Sequence, residues 1–293
     1  MSLAIEIKDL NKKFLNIKAL DNLNLNIEEG KIYGLLGRNG AGKTTLLKII
    51  TAQYVKSSGT VKVFGEESFE NEKALSKICF VSDKPKFIPT FTVREIFSIA
   101  RAFNKNWDRE FEKVLIKEFD VDLNKQYKNL SKGMQSIVSI IIGLASRAAI
   151  TIYDEAYTGL DAVAREKFYR ILLEDYSENP RTIIFSTHLI DEVSKLFENV
   201  IIIHKGKVIL EEETDLLRTK AFYINGDSNK VSDVTKNKNV IYKEVMGNNI
   251  NAAVLHTISK EEKIKIENMG LEMKSMPLQK LFIHLTSIES EGR

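Results

Sequence analysis

Residues 37 to 45 read Gly37-Arg38-Asn39-Gly40-Ala41-Gly42-Lys43-Thr44-Thr45 and match the phosphate-binding loop pattern G-x-x-x-x-G-K-[ST] at every fixed position. A buried strand is predicted just before the loop, at residues 31–36, and apolar side chains at helical spacing follow it, at residues 44–50. The alternative is a glycine-rich turn without a ligand. Because the spacing and both flanks agree with a phosphate loop, the sequence predicts that the chain binds a nucleoside triphosphate.

The residue types of this loop suit a phosphate chemically. Three glycines let the backbone pass close to the ligand with successive N–H groups pointing at it, and the helix N-terminus adds partial positive charge. We expect the Lys43 ammonium to reach the β- and γ-phosphates and the Thr44 hydroxyl to bind Mg²⁺.

Composition narrows the class of protein. The 293 residues are 43% apolar and 28% charged, which is ordinary for a soluble globular protein. A net charge of +3 is too small to indicate nucleic-acid binding. The single cysteine, Cys79, excludes an internal disulfide, and the N-terminus lacks the apolar core of a signal peptide. We therefore expect a cytoplasmic protein for which any role at the membrane requires another chain.

Strand and helix patterns alternate along most of the chain. Strands are predicted near residues 3–9, 20–27, 31–36, 60–64, 77–82, 150–153 and 182–186, and a hairpin at residues 200–209 that turns at residues 205–207. Helices are predicted near residues 44–50, 92–119, 131–146, 162–176 and 189–197. This order predicts an α/β fold, a P-loop NTPase core with an antiparallel β subdomain and a helical insert at about 86–146. The core is expected to span residues 1–212. Residues 213–293 are predicted to form a small α+β domain with one short strand, a helix near 260–269 and a last helix near 278–285.

Two carboxylates follow the apolar strand at residues 150–153. Asp154 and Glu155 come at the carboxyl end of this strand, where parallel sheets gather ligands. Asp154 is placed to hold Mg²⁺ through its water shell, and Glu155 is placed to orient or deprotonate a water that attacks the γ-phosphate. A solvated turn is the alternative, and the phosphate loop upstream favours the metal and base roles.

Three further segments carry candidate site residues. Ser131, in Leu130-Ser131-Lys132-Gly133-Met134, is interpreted from the residues alone as a helix cap, with a second phosphate site as the alternative. Asp161 is the last residue of the segment Thr158-Gly159-Leu160-Asp161, and His188 comes two residues after the predicted strand at residues 182–186. An imidazole at that edge is suited to contact the γ-phosphate.

Together these motifs resemble, in order and spacing, the ATP-binding subunit of ABC transporters, over about residues 3 to 212. The resemblance rests on the phosphate loop, Ser131-Lys132-Gly133 as the signature, Asp154-Glu155, Asp161 and His188. It implies an ABC ATPase that binds ATP and Mg²⁺. It also implies that Phe14, which by its position alone is better interpreted as a core residue, stacks on adenine.

The resemblance implies partners as well. Two copies would sandwich two nucleotides head to tail, so that Ser131 and Gly133 of one copy cap the γ-phosphate held by Lys43 of the other, with Asp161 also at the nucleotide. The helical insert would contact a separate membrane-spanning permease. The protein would then lie at the cytoplasmic face of the cell membrane.

The chain departs from the family pattern at four positions. Lys132 and Met134 replace a glycine and the glutamine of the signature, Ala156 replaces the proline after the catalytic glutamate, and Asp83 stands where the family has glutamine or glutamate. The family residue at position 83 reaches Mg²⁺ or the attacking water. A loop residue that caps the turn before Pro85 is the alternative interpretation of Asp83.

The C-terminal segment from Leu278 to Thr286 resembles the final helix of bacterial exporter ATPases that handle antimicrobial and amphipathic peptides, such as phenol-soluble modulin exporters. The leading hypothesis is therefore a transport ATPase for peptides or other amphipathic compounds. The alternatives are a soluble ABC protein that acts on ribosomes or DNA, and a regulatory module that binds ATP with little turnover.

Overall fold

The computed structural model describes residues 2–83, 85, 87–188 and 190–287. Its strands are β1 (Leu3–Phe14), β2 (Ile17–Glu28), β3 (Ile32–Leu36), β4 (Ser58–Val63), β5 (Glu66–Glu67), β6 (Ile78–Ser82), β7 (Ile150–Asp154), β8 (Thr182–Thr187), β9 (Asn199–His204), β10 (Lys207–Glu213), β11 (Ala221–Asp227), β12 (Val240–Met246), β13 (Asn249–Leu255) and β14 (Glu272–Ser275). Its α-helices are α1 (Lys43–Ile50), α2 (Glu72–Leu75), α3 (Val93–Phe103), α4 (Arg109–Glu118), α5 (Lys132–Ala145), α6 (Ala162–Glu178), α7 (Ile190–Val193), α8 (Thr214–Lys220), α9 (Ser228–Thr235), α10 (Lys260–Asn268) and α11 (Leu278–Ser287).

The central sheet has six strands in the order β10-β9-β3-β8-β7-β6. Neighbouring strands from β9 to β6 run parallel, and only β10 is antiparallel to its neighbour. Every residue of β3, β7 and β8 is buried, which explains why these strands are continuous apolar runs in the sequence. Their carboxyl ends meet at one edge of the sheet and deliver the phosphate loop, Asp154 and His188 together.

A second sheet, of order β2-β1-β4-β5, forms the antiparallel subdomain. Its inward residues, among them Ile5 and Leu25, share one buried cluster with Leu46 of α1 and with Ile152 of β7. The antiparallel sheet therefore packs over α1 and one face of the central sheet. This confirms the predicted α/β fold with an antiparallel β subdomain.

The helical insert begins at a capping box. The Thr92 side chain accepts a hydrogen bond from the Glu95 backbone, and the Glu95 carboxylate accepts one from the Thr92 backbone. The single predicted helical stretch at residues 92–119 is two helices, α3 and α4, because Asp108 caps a second start by accepting from Phe111 N. The residues of α5 from Ile137 to Ala145 are all buried in the core.

The region after residue 212 contains more strands than predicted. Four strands form an antiparallel sheet of order β12-β13-β11-β14, so the prediction of one short strand was wrong. The outer strand β12 is exposed from Tyr242 to Met246 and carries no clear alternation of apolar and polar residues, which is why its pattern was missed. The two predicted helices are confirmed as α10 and α11.

The third sheet has a small core of its own, with Phe222 and Ile224 at its centre. Other residues of this region, including Leu217 and Leu281, join the main core instead. The domain boundary near residue 212 stays a prediction. The predicted helix at residues 189–197 is shorter, α7, and Leu189 lies outside the described residues. Across the part of the chain that the structure describes, no helix combines the length and hydropathy needed to cross a bilayer.

Candidate active site

The phosphate loop joins the end of β3 to the start of α1, and its backbone needs two of the glycines. Gly40 has a φ of +80° and Gly42 a φ of +110°, values that side-chain-bearing residues rarely adopt. A Cβ atom on Gly42 would also lie 2.7 Å from the carbonyl oxygen of Ala19. The loop is therefore held closely against the β1–β2 segment.

Lys43 is the buried cation of the site. Its side chain is only 6% exposed, and Nζ donates to the carbonyl oxygen of Gly37 at 2.6 Å. Burial lowers the pKa of this amine, and the nearby carboxylates of Glu155 and Asp154 oppose that shift. The loop thus holds its ammonium group in place, and no carboxylate among the described residues pairs with it directly.

A cleft of about 810 Å³ opens over the loop. It is lined by Ile17, Lys18, Ala19, Arg38, Asn39, Gly40, Ala41, Gly42, Lys43, Thr44, Thr45, Lys48, Ser82, Asp83, Asp154, Glu155, Lys205 and Gly206. The predicted loop residues from Arg38 to Thr45 and the predicted metal residues, including Asp83, therefore come together around one space. Sequence reasoning missed Lys18, Lys48 and Lys205, which add positive charge to the walls.

Asp154 ends β7 inside the cleft and is 4% exposed. Its Oδ1 atom is buried and has no hydrogen-bond partner among the described residues. Burial raises the pKa of this carboxyl, the Ser186 and Thr44 hydroxyls oppose the rise by hydrogen bonding, and the nearby Glu155 and Asp83 carboxylates add to it. Asp83 lies close because its backbone N–H donates to the Asp154 carbonyl oxygen at 3.1 Å. An unpartnered, buried carboxylate oxygen beside the Thr44 loop fits a hard divalent cation.

Glu155 and His188 contact each other at the rim of the cleft. The Oε1 atom of Glu155 lies 3.1 Å from Nδ1 of His188. Glu155 has a φ of +53°, an uncommon conformation for a residue with a side chain, and its N–H donates to the Ser186 carbonyl oxygen at 3.1 Å. The adjacent parallel strands β7 and β8 thus bring a carboxylate and an imidazole together, 33 residues apart in sequence.

Six predicted site residues are not among those that line this cleft: Phe14, Gly37, Ser131, Gly133, Asp161 and His188. Phe14 is 38% exposed; its ring packs edge-on against Tyr54 with centroids 5.5 Å apart. Ser131 caps α5 by accepting from Met134 N at 3.2 Å, which confirms the cap interpretation. Asp161 caps α6 by accepting from Ala164 N at 2.8 Å. A Cβ on Gly133 would lie 3.3 Å from the Gly159 carbonyl oxygen, so the loops that begin α5 and α6 touch.

Comparison with known proteins agrees with this geometry. The family model for ABC transporter proteins matches residues 20–158. The bacitracin transport ATP-binding protein BcrA of Bacillus licheniformis is 33% identical over 223 residues, which cover 75% of this chain and 73% of that protein. The chain belongs to the ABC transporter ATP-binding proteins.

Two further members of the ABC family support the assignment. The lantibiotic transport ATP-binding protein SrtF of Streptococcus pyogenes is 30% identical over 72% of this chain and 91% of its own length. A dimeric ATP-binding cassette in a post-hydrolysis state, bound to ADP and Pi, superposes with a TM-score of 0.63 at 27% identity, over 72% of this chain and 98% of that one. The chain whose cleft is described above is therefore an ATPase: it binds ATP and hydrolyses it.

Proposed function

We propose that the chain drives the export of peptides or other amphipathic compounds by closing in pairs around ATP and hydrolysing it at Glu155. The observation that carries the proposal is the contact between Glu155 and His188 at the rim of the phosphate cleft. A carboxylate next to a γ-phosphate position acts as the base for an attacking water. The imidazole opposite it is in place to contact the γ-phosphate.

The proposed metal is Mg²⁺, held by the Thr44 hydroxyl and by Asp154, with Asp83 reaching it through water. Support comes from the unpartnered, buried Oδ1 atom of Asp154 and from the place of Asp83 in the same cleft. Bound there, the ion would offset the charge of the phosphates. The chain's own contribution is to hold the loop amides and Lys43 against the β- and γ-phosphates.

We propose that the second half of each site comes from another copy of the chain. Ser131, Gly133 and Asp161 lie outside the cleft of their own chain and cluster where α5 and α6 begin. A Ser hydroxyl at a helix N-terminus suits an anion, and Lys132 adds a cation beside it. The matched cassette that holds ADP and Pi is itself dimeric. Adenine would stack on Phe14, at the exposed end of β1.

The proposed partner in the membrane is a separate permease that docks on the helical insert, which places the chain at the cytoplasmic face of the cell membrane. A groove of about 880 Å³ runs between α3 and the β6 edge, and Phe80, Ile99 and Phe103 are among its lining residues. Phe103 is 78% exposed, and Ile88 and Ile99 of the same groove are exposed as well; a contiguous exposed apolar patch of this kind marks an interaction site. The cargo class follows the relatives, which are named for bacitracin and lantibiotic transport.

The test is reconstitution of the full chain with the membrane protein encoded by the adjacent reading frame, in vesicles with a labelled cationic amphipathic peptide. We expect ATP-dependent movement of the peptide that Lys43→Ala abolishes. Phe103→Asp should keep the ATPase activity of the isolated chain but lose transport. Lys43-dependent ATP hydrolysis without peptide movement would contradict the cargo, and undiminished transport by Phe103→Asp would contradict the docking site.

A further inference from the structure

Helix α7 begins at Ile190, two residues after the proposed γ-phosphate contact His188, and has only four residues. A helix of this length cannot hold its shape alone, because one turn costs more conformational entropy than its hydrogen bonds return. Its apolar residues Ile190 and Val193 are buried. The position of α7 must therefore be set by the elements packed on it. His188 lies between the buried end of β8 and the start of α7, so the position of α7 bears on the residue from its C-terminal side.

One of those elements is α6. Glu192 of α7 forms an ion pair with Arg165, and Arg165 also donates to the Leu160 carbonyl oxygen at 2.9 Å. This contact fixes one side of α7 against the loop that ends at Asp161.

The other element is α11, from the far end of the chain. Leu281 of α11 is 1% exposed and belongs to the same core as Ile190 and Val193. The Gln279 amide is assigned the orientation that turns its nitrogen toward the Asp191 carboxylate, because its oxygen would otherwise face only acceptors; in this orientation it donates to Oδ1 of Asp191 at 3.0 Å. A neutral amide that donates to a carboxylate forms a comparatively strong hydrogen bond.

The opposite end of α11 is fastened to the C-terminal sheet. The His284 ring stacks on Tyr242 of β12 with centroids 4.4 Å apart, and its Nε2 atom lies 2.9 Å from the Tyr223 hydroxyl of β11. The helix thus joins the third sheet at one end and α7 at the other.

We propose that α11 is a positioning element for His188, with Gln279 and Leu281 as the residues that hold α7. The C-terminal region then sets the rate of ATP hydrolysis through the placement of an imidazole, although none of its described residues, up to position 287, lines the cleft. This inference rests on the proposed role of His188.

The test exchanges the amide and the carboxylate between the two helices. Gln279→Glu places two carboxylates against each other and should lower kcat about 3- to 10-fold, with less than a twofold change in KM for ATP. The double variant Gln279→Glu with Asp191→Asn restores an amide–carboxylate pair with exchanged roles and should recover the rate. Lys280→Gln, at an exposed neighbouring position, is the matched control and should match wild type.

A spectroscopic measurement separates positioning from general damage. The ring resonance of His188, assigned by its loss in His188→Ala, should shift in Gln279→Glu and return in the double variant. An unchanged kcat in Gln279→Glu, or a lower kcat with an unmoved His188 resonance, would overturn the inference. Wild-type turnover by His188→Ala would instead contradict the proposed role of His188, independently of the contact between α11 and α7.

Discussion

At the scale of single residues, the carboxylate best placed to bind a metal ion lowers the stability of the folded chain when no ion is bound. Asp154 is a buried carboxylate whose Oδ1 atom has no protein donor, and burial raises its pKa. Because the folded state favours the protonated form, ionisation of this group destabilises the folded chain at neutral pH. The residue best placed to hold a cation is thus unfavourable when no cation is bound.

Asp154→Asn should therefore stabilise the chain in the absence of nucleotide and metal. We expect the melting temperature at pH 7 to rise by about 2–4 °C, while Mg²⁺-dependent turnover is lost. The difference from wild type should shrink as the pH falls toward the acid range, because wild-type Asp154 becomes protonated there. Scanning calorimetry at several pH values checks this; a variant less stable than wild type at pH 7 would show that the Ser186 and Thr44 hydroxyls stabilise the carboxylate more than burial destabilises it.

At the scale of elements, one arginine links the helical insert to the core through two ion pairs. Arg147 follows α5 and pairs with Asp108, the cap of α4, at 3.0 Å, and with Asp175 of α6. Asp175 is buried and is also paired with Arg181 at 2.8 Å. The network joins α4, α5 and α6 where the insert meets the central sheet.

Arg147→Ala should destabilise the chain by about 2–3 kcal/mol, below the full cost of stranding a buried charge, because Arg181 still pairs with Asp175. The matched control is Arg170→Ala, which breaks a solvent-exposed pair with Glu174 and should cost under about 0.5 kcal/mol. Urea denaturation followed by circular dichroism measures both. Equal midpoints for the two variants would mean that the network contributes no stability.

The sequence predicts some of the site residues and strands but not others. The loop between β3 and α1 and the Asp154-Glu155 pair were predictable because strict local spacing encodes them. Lys205 and Gly206 reach the cleft only because β9 lies beside β3, and no local pattern signals that neighbour. The exposed strand β12 lacks a buried face, so periodicity could not reveal it. The proposed contribution of Ser131 to the nucleotide site of another copy depends on how two copies assemble, and sequence spacing does not encode that assembly.

At the scale of the whole molecule, one chain contains two separate parts of the proposed composite site. The cleft gathers Lys43, Asp154 and Glu155, whereas Ser131 and Asp161 begin α5 and α6 outside it. Two copies arranged head to tail would place each half against the other. We therefore expect ATP to bind between two copies of the chain and Glu155 of each copy to start its hydrolysis.

Light scattering on Glu155→Gln with saturating ATP and Mg²⁺ tests this claim most directly. Glutamine keeps the shape but removes the base, so ATP should persist and the mass should double from the 33.3 kDa of one chain. Adding Ser131→Arg to the same variant should prevent the doubling while Lys43 still binds nucleotide. A Glu155→Gln chain that stays at the mass of one copy with ATP bound would contradict ATP binding between two copies. Hydrolysis at the wild-type rate would contradict the role of Glu155.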